Sequence, residues 1–198
     1  MRRMTNRVAP TPPRGKPPAP ACQGFSLSES LLVLAVGGVL SAVAVPPMLG
    51  FLDSQKAAAM SSAFLGSLNL ARSEAIKRNG RAVLCKSADG LVCSTLGGWE
   101  QGYILFHDAN NNAQVDAGEA IVLRQGHVAS GPRLWGNGSV ANYVSYSASG
   151  GAKLVSGAFQ AGTFTLCPVA PSGTDVRLIV LGASGRARAQ RGSVSDCD

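Results

Sequence analysis

Histidine is nearly missing from this chain. His107 and His127 are the only two in 198 residues. Aromatic residues make up 6% and charged residues 15%. His107 adjoins Asp108, but neighbours along a strand point to opposite faces, so the two do not form a local acid–base pair. Neither Ser-x-x-Lys nor Gly-x-Ser-x-Gly occurs, and the glycine-rich segments do not follow the strand–loop–helix order of a phosphate loop. These gaps speak against an enzyme, and no cofactor is implied. No Cys-x-x-Cys pair is present, which argues against a four-cysteine metal site. There is no internal repeat.

What is present begins with a charge asymmetry. Residues 1–24 carry Arg2, Arg3, Arg7, Arg14 and Lys16 and no acid. The formal charge of +7 therefore overstates the basic character of the rest, where 13 basic residues face 11 acids. Any nucleic-acid argument must rest on local clusters. An apolar run follows over 25–45, long enough at about 1.5 Å per residue to cross a bilayer of roughly 30 Å. The basic leader should stay cytoplasmic while the run crosses outward. One acid, Glu29, sits near the start of the run. A carboxylate at a bilayer centre costs about 2.5–3.5 kcal/mol, so an acid kept there is expected to have a partner.

Beyond the run, residues 48–79 read as a continuing helix, with Leu49, Leu52, Met60, Phe64, Leu68 and Ala71 near helical spacing and Asn79-Gly80 as its stop. After Gly80, short β-branched and aromatic runs alternate with Gly, Asn and Ser. Strands are expected at 81–86, 91–94, 102–107, 120–125, 142–147, 152–156, 162–167, 175–181 and 186–190. Residues 129–141 read as a loop whose tryptophan, Trp135, is expected to anchor packing. The organisation is thus a leader (1–24), an apolar helix (25–47), an amphipathic helix half (48–80) and a β-rich head (81–198).

Cys22 lies in the leader. The other four cysteines, placed outside the cytoplasm by the run's orientation, sit where disulfides persist and allow three pairings. Ala88-Asp89-Gly90 between Cys85 and Cys93 suits a hairpin loop with Gly90 left-handed, which sets the two cysteines opposite each other. Cys167 would then tie to Cys197.

Asp108, Asn110, Asn112, Asp116 and Glu119 occupy positions 1, 3, 5, 9 and 12 of a calcium-loop pattern. Ala113 stands where that loop needs glycine, and the flanks read as strands. No metal is assigned.

Near the C-terminus, Arg186 and Arg188 are two apart. On a strand they share a face with guanidinium groups about 7 Å apart, close to the spacing of phosphates along a nucleic-acid strand. Each can fork onto a phosphate. Gly185 allows close backbone approach. Arg191 and Arg177 would widen the patch, although the parity of Arg191 fits only if the strand twists or ends first.

Gly24-Phe25-Ser26-Leu27-Ser28-Glu29 resembles the cleavage site of type IV prepilins. That resemblance implies a membrane prepilin peptidase cutting after Gly24, methylation of Phe25, and Glu29 meeting the terminal amine of a neighbouring pilin subunit. It also implies a helix bend near Pro46, since proline removes a helical hydrogen bond. Leu70-Ala71-Arg72-Ser73-Glu74-Ala75-Ile76-Lys77-Arg78-Asn79, Gly98-Trp99, Gly102-Tyr103-Ile104-Leu105-Phe106, the Asp108–Glu119 stretch and Gly185-Arg186-Ala187-Arg188 together resemble the H-type pseudopilin and FimT-type minor pilin family. The family implies an α+β, pilin-like fold with a long N-terminal helix packed on a β-rich head. It implies an inner-membrane precursor with a periplasmic head, then a surface pilus. Its Gly-Arg-x-Arg motif implies sequence-independent DNA binding in natural transformation. An assembly role without DNA contact, in a pilus or in type II secretion, is the alternative.

Overall fold

The computed structural model describes residues 24, 26–128, 131–167 and 175–194, apart from the side chains of 43–50 and of residue 175. The chain forms two compact units, Met1–Ala44 and Val45–Asp198. Helix α1 spans Leu27–Lys77 and contributes to both.

Ser26 starts α1. Its Oγ accepts the Glu29 amide at 3.3 Å, and Glu29 adds negative charge to the first turn. In the first unit, residues 26–42 are exposed all round although the stretch is apolar. Among the described residues no helix is long and apolar enough to cross a membrane. The expected span 25–45 includes Phe25 and the side chains of 43–45, which lie outside that description. The helix bounds, Leu27–Lys77, include Pro46-Pro47.

In the second unit the helix buries one stripe: Ala57, Phe64, Leu68, Ala71 and Ala75. The spacings of seven, four, three and four residues keep these on one side. Leu52, expected in that stripe, is instead exposed, so the packed face begins at Ala57. The helix ends in a Schellman arrangement. Asn79 takes a left-handed φ of 50°, its amide bonds the Ile76 carbonyl, and the Gly80 amide reaches back to Ala75.

Eight strands follow: β1 (Ala82–Lys86), β2 (Tyr103–His107), β3 (Ile121–Gln125), β4 (Arg133–Gly136), β5 (Tyr143–Tyr146), β6 (Gly162–Cys167), β7 (Asp175–Leu181) and β8 (Ala187–Ser193). They build two antiparallel sheets, ordered β3-β2-β1-β5 and β4-β6-β7-β8. The main core lies among the helix stripe, Leu84, Leu105, Val144 and Tyr146 of the first sheet, and Leu134, Phe164, Leu166, Ile179 and Leu181 of the second. At its centre, Phe64 meets Trp99, Tyr103 and Phe164 edge-on, with centroids 5.2, 5.3 and 4.8 Å away. Trp99 Nε1 donates to the Val140 carbonyl, and Tyr103 Oη pairs with Ser67 Oγ.

The first sheet is covered on its second face as well. Val83, Cys85, Ile104 and Phe106 pack there with Ala113 of the Asx-rich loop, with Cys93 and Val115 alongside. Two devices hold that cover in place. The Cys85–Cys93 disulfide closes a loop eight residues apart in sequence. Gly90 has φ 73°, and Asp89 Oδ1 accepts the Leu91 and Val92 amides. Buried Lys86 donates from Nζ to the carbonyls of Thr95 and Gly97 at 3.1 and 2.8 Å; desolvation pushes its ammonium below the usual lysine range, with Glu100 opposing.

Several expected strands are corrected. Residues 91–94 form no strand, because β1 is already flanked by β2 and β5 and leaves no free edge. Residues 152–156 make only isolated bridges, Tyr146 with Ala152 and Lys153 with Phe159. The expected 129–141 loop contains β4 at its centre; residues 129–130 lie outside the described set. The last strand starts at Ala187, one residue later than expected, and reaches Ser193.

Candidate nucleic-acid interface

Among the described residues strand β8 forms an edge of the second sheet and pairs only with β7. A tight turn joins the two. The Gly185 amide donates to the Gly182 carbonyl at 2.9 Å, and the Gly182 amide to the Arg186 carbonyl at 3.0 Å. Gly185 is buried at φ 79°, and a Cβ there would run into the Gly150 carbonyl and come within 3.2 Å of the Tyr146 ring. Its lack of a side chain is therefore used by the fold itself.

This locked turn fixes the backbone leading into the arginines. Arg186 precedes the strand, and Arg188 stands opposite Val180 within it; both are exposed. Two-residue periodicity places Arg188 on the face away from the core, since Ala187 and Ala189 pair with the buried Leu181 and Ile179. Among the described residues no carboxylate forms an ion pair with Arg177, Arg186, Arg188 or Arg191.

The four arginines do not make one patch. The strand does not end before Arg191, so Arg191 falls on the opposite face from Arg188. There it stands directly across from Arg177. Like charges facing across an antiparallel pair repel, and this pair lies at the far end of the hairpin from Arg186. The hairpin thus carries Arg188 toward one face and Arg177 and Arg191 toward the other, with Arg186 at the turn end.

Trp135 is not the expected packing anchor; that role falls to Trp99, 1% exposed. Leu134 takes the inward position on β4, which leaves half-buried Trp135 on the outward face with exposed Arg133 two residues away. The Arg-Leu-Trp alternation carried this signal, but flanking Gly-Pro and Gly-Asn-Gly hid the strand.

The calcium-like loop is closed by its own donors. Buried Asp108 accepts the Asn112 and Ala113 amides, at 3.0 Å each. Asp116 Oδ2 accepts both Asn110 Nδ2 and Asn112 Nδ2 at 2.7 Å, and Glu119 accepts the Ala109 and Asp116 amides. Ala113, at the glycine position, does take a left-handed φ of 58°. Among the described residues no group of three or more His, Cys, Asp or Glu side chains is placed to hold a metal ion. His107 Nε2 lies 3.3 Å from Glu74 Oε2, with Arg78 and Lys77 beside that carboxylate.

Gly24 and Glu29 lie in the first unit, and Phe25 is outside the described residues. Cys167 is buried and disulfide-bonded; its expected partner, Cys197, is also outside them.

A long helix laid on antiparallel sheets in an α+β head is the pilin-like fold. Its match to the type IV minor pilin FimU of Pseudomonas aeruginosa, strain PAO1, has a TM-score of 0.52 at 17% identity, covering 75% of this chain and 99% of that one. The family described as type II transport protein GspH matches residues 61–185, and this chain belongs to it. A second crystal form of FimU is similar at TM-score 0.49 and 17% identity, over 69% of this chain and 96% of that one. The minor pseudopilin EpsH of the type 2 secretion system of Vibrio cholerae is similar at 0.47 and 14%, over 68% and 96%. No curated protein matches the sequence. The family match stops at Gly185, immediately before the arginines.

Proposed function

We propose that this chain is a minor pilin that captures DNA through Arg186 and Arg188, for uptake in natural transformation. One observation carries the reading: two exposed guanidinium groups follow a rigid turn on a sheet edge, with no carboxylate neutralising them among the described residues. Such groups reach phosphate oxygens and read no base edges, so binding is sequence-independent. Because β8 is an edge, a backbone passing over it meets Arg186 at the turn end, Arg188 on one face and Arg191, with Arg177 behind it, on the other.

The N-terminal unit supports delivery. Its apolar helix, exposed all round, needs lipid or neighbouring helices to cover it. In this reading prepilin peptidase cuts after Gly24 and Phe25 is methylated. Glu29, already at the helix start, pairs with the terminal amine of the next subunit. The precursor sits in the inner membrane with its head in the periplasm until assembled into a surface pilus. The role is binding, without catalysis.

The test is a mobility shift of the full chain in detergent across a salt series. Two phosphates neutralised give a log–log slope of about −1.8 on duplex DNA. Arg186→Ala and Arg188→Ala should each weaken binding and lower that slope by about 1. Equal binding by intact and double-substituted protein would remove the arginines from the role. A second reading, a pseudopilin acting in filament assembly alone, is supported by the family's description as type II transport protein GspH. No shift by the intact chain at low salt would select it.

A further inference from the structure

The second sheet leaves part of its outward face open, and the strand registers fix what stands there; at the Arg133 end Cys167 and Val176 are buried, while the rows through Trp135 and Arg188 are exposed or half-buried. Trp135 pairs with Thr165, Thr165 with Leu178, and Leu178 with Gln190, a row crossing all four strands. The adjacent row runs Thr163, Val180 and Arg188. Exposed Arg133 begins the row on the other side of Trp135, where its partner Cys167 is buried, as is Val176 on β7. Trp135, Thr163, Thr165, Leu178 and Val180 are half-buried, while Arg133, Arg188 and Gln190 are exposed. No acid occupies a described position of this face. A solvated sheet face needs no tryptophan for stability, and Trp135 takes no part in the Phe64–Trp99–Tyr103–Phe164 cluster.

We infer that this face is a platform for single-stranded DNA, with a base stacked on Trp135 and the backbone held at the two edges by Arg133 and Arg188. The inference rests on the DNA reading above and adds the form of nucleic acid. Three strand spacings of about 4.8 Å and one two-residue step separate Trp135 from Arg188, roughly 16 Å in all. An extended strand with about 7 Å between phosphates spans that distance in two to three nucleotides. Only an unpaired base can expose its face to the indole, and stacking of this kind is indifferent to base identity. A duplex offers its phosphates to Arg186 and Arg188 but hides its base faces, so Trp135 discriminates strand form without reading sequence. Thr163 and Thr165 on β6 add hydroxyls beside the apolar Leu178 and Val180 of β7 in the middle of the platform.

The experiment titrates the full chain in detergent with a short oligothymidine and with a duplex of equal length, at low salt. Intact protein should bind the oligothymidine more tightly than the duplex. Binding should quench indole emission, a signal from Trp135 because the only other tryptophan, Trp99, is buried. Trp135→Leu, which keeps apolar bulk but has no π face, should weaken oligothymidine binding about 5- to 100-fold and change duplex binding less than about twofold. Trp135→Phe should restore most of the loss. Melting temperatures of the variants confirm that the sheet is intact. Unchanged oligothymidine binding by Trp135→Leu, or no quench, overturns the platform. If Arg186→Ala and Arg188→Ala still abolish binding in that case, the DNA reading survives without it. If the intact chain binds neither ligand, both fall. A Trp135→Leu protein with normal DNA binding but impaired self-association would mark this face as a contact between subunits, and that also overturns the inference.

Discussion

Gly185→Ala tests whether the arginine-bearing hairpin depends on one buried atom's worth of space. The native φ of 79° is left-handed, which costs a residue with a Cβ about 1–2 kcal/mol. The added methyl also meets the Gly150 carbonyl, a backbone atom that can yield only if the 147–151 turn moves. That turn is fastened: the Gly150 amide bonds Ser147, and Arg72 Nε donates to the Gly150 carbonyl at 2.9 Å. Overpacking of this kind costs about 1–3 kcal/mol more. A total loss of about 2–5 kcal/mol follows, or roughly 4–20 °C in melting temperature for a head of this size. Gly182→Ala is the control. Gly182 lies on the same turn, has no left-handed φ, and a Cβ there would have only ordinary contacts, at 3.7 Å from the Arg186 carbonyl. Thermal unfolding followed by circular dichroism separates the two. If Gly185→Ala melted within a degree of the unmodified chain, the turn would not be locked, and the fixed presentation of Arg186 and Arg188 would lose its basis.

Tyr146 Oη is buried and has no hydrogen-bond partner among the described residues. Tyr146→Phe should therefore raise stability by about 1 kcal/mol in thermal unfolding; a clear loss would mean the hydroxyl is satisfied. Replacing both Cys85 and Cys93 with alanine should cost about 2.5 kcal/mol through the chain entropy of an eight-residue closure, read by denaturant titration. No change in midpoint would mean the closure is already rigid when reduced. Glu74 is held below the usual carboxylate range by its hydrogen bond to His107, then by Lys77 and Arg78, against the opposing effect of burial. A folded-state value lowered from the ordinary 4.5 gives stability that is present above 4.5 and lost as pH falls through the lowered value. Glu74→Gln should flatten the acid limb of the stability curve, and an acid limb unchanged by it would refute the assignment.

The helix and most of the second sheet were legible because their apolar spacing was regular. Phe64, Leu68 and Ala71 announced a buried stripe, and Phe164, Leu166, Ile179 and Leu181 alternated cleanly. Errors arose where local chemistry and tertiary demand diverged. Leu91-Val92 looks like strand, yet both side chains are exposed on a disulfide-tied turn because the neighbouring sheet positions were taken. Trp135 was hidden inside glycine-rich flanks. In the candidate site, the outward placement of Arg188 was readable from strand alternation. The separation of Arg191 was not, because it depends on how far the ladder with β7 continues. Nor could the sequence show that Gly185 is spent on Gly150, a neighbour 35 positions away.

The two-sided cover of the first sheet has a consequence for how the molecule breathes. Central strand β1 is shielded above and below and hydrogen-bonded on both flanks, so its amides should exchange with deuterium last, near the rate of global opening. Edge strand β8, bonded to β7 along one flank among the described residues, should exchange well before it.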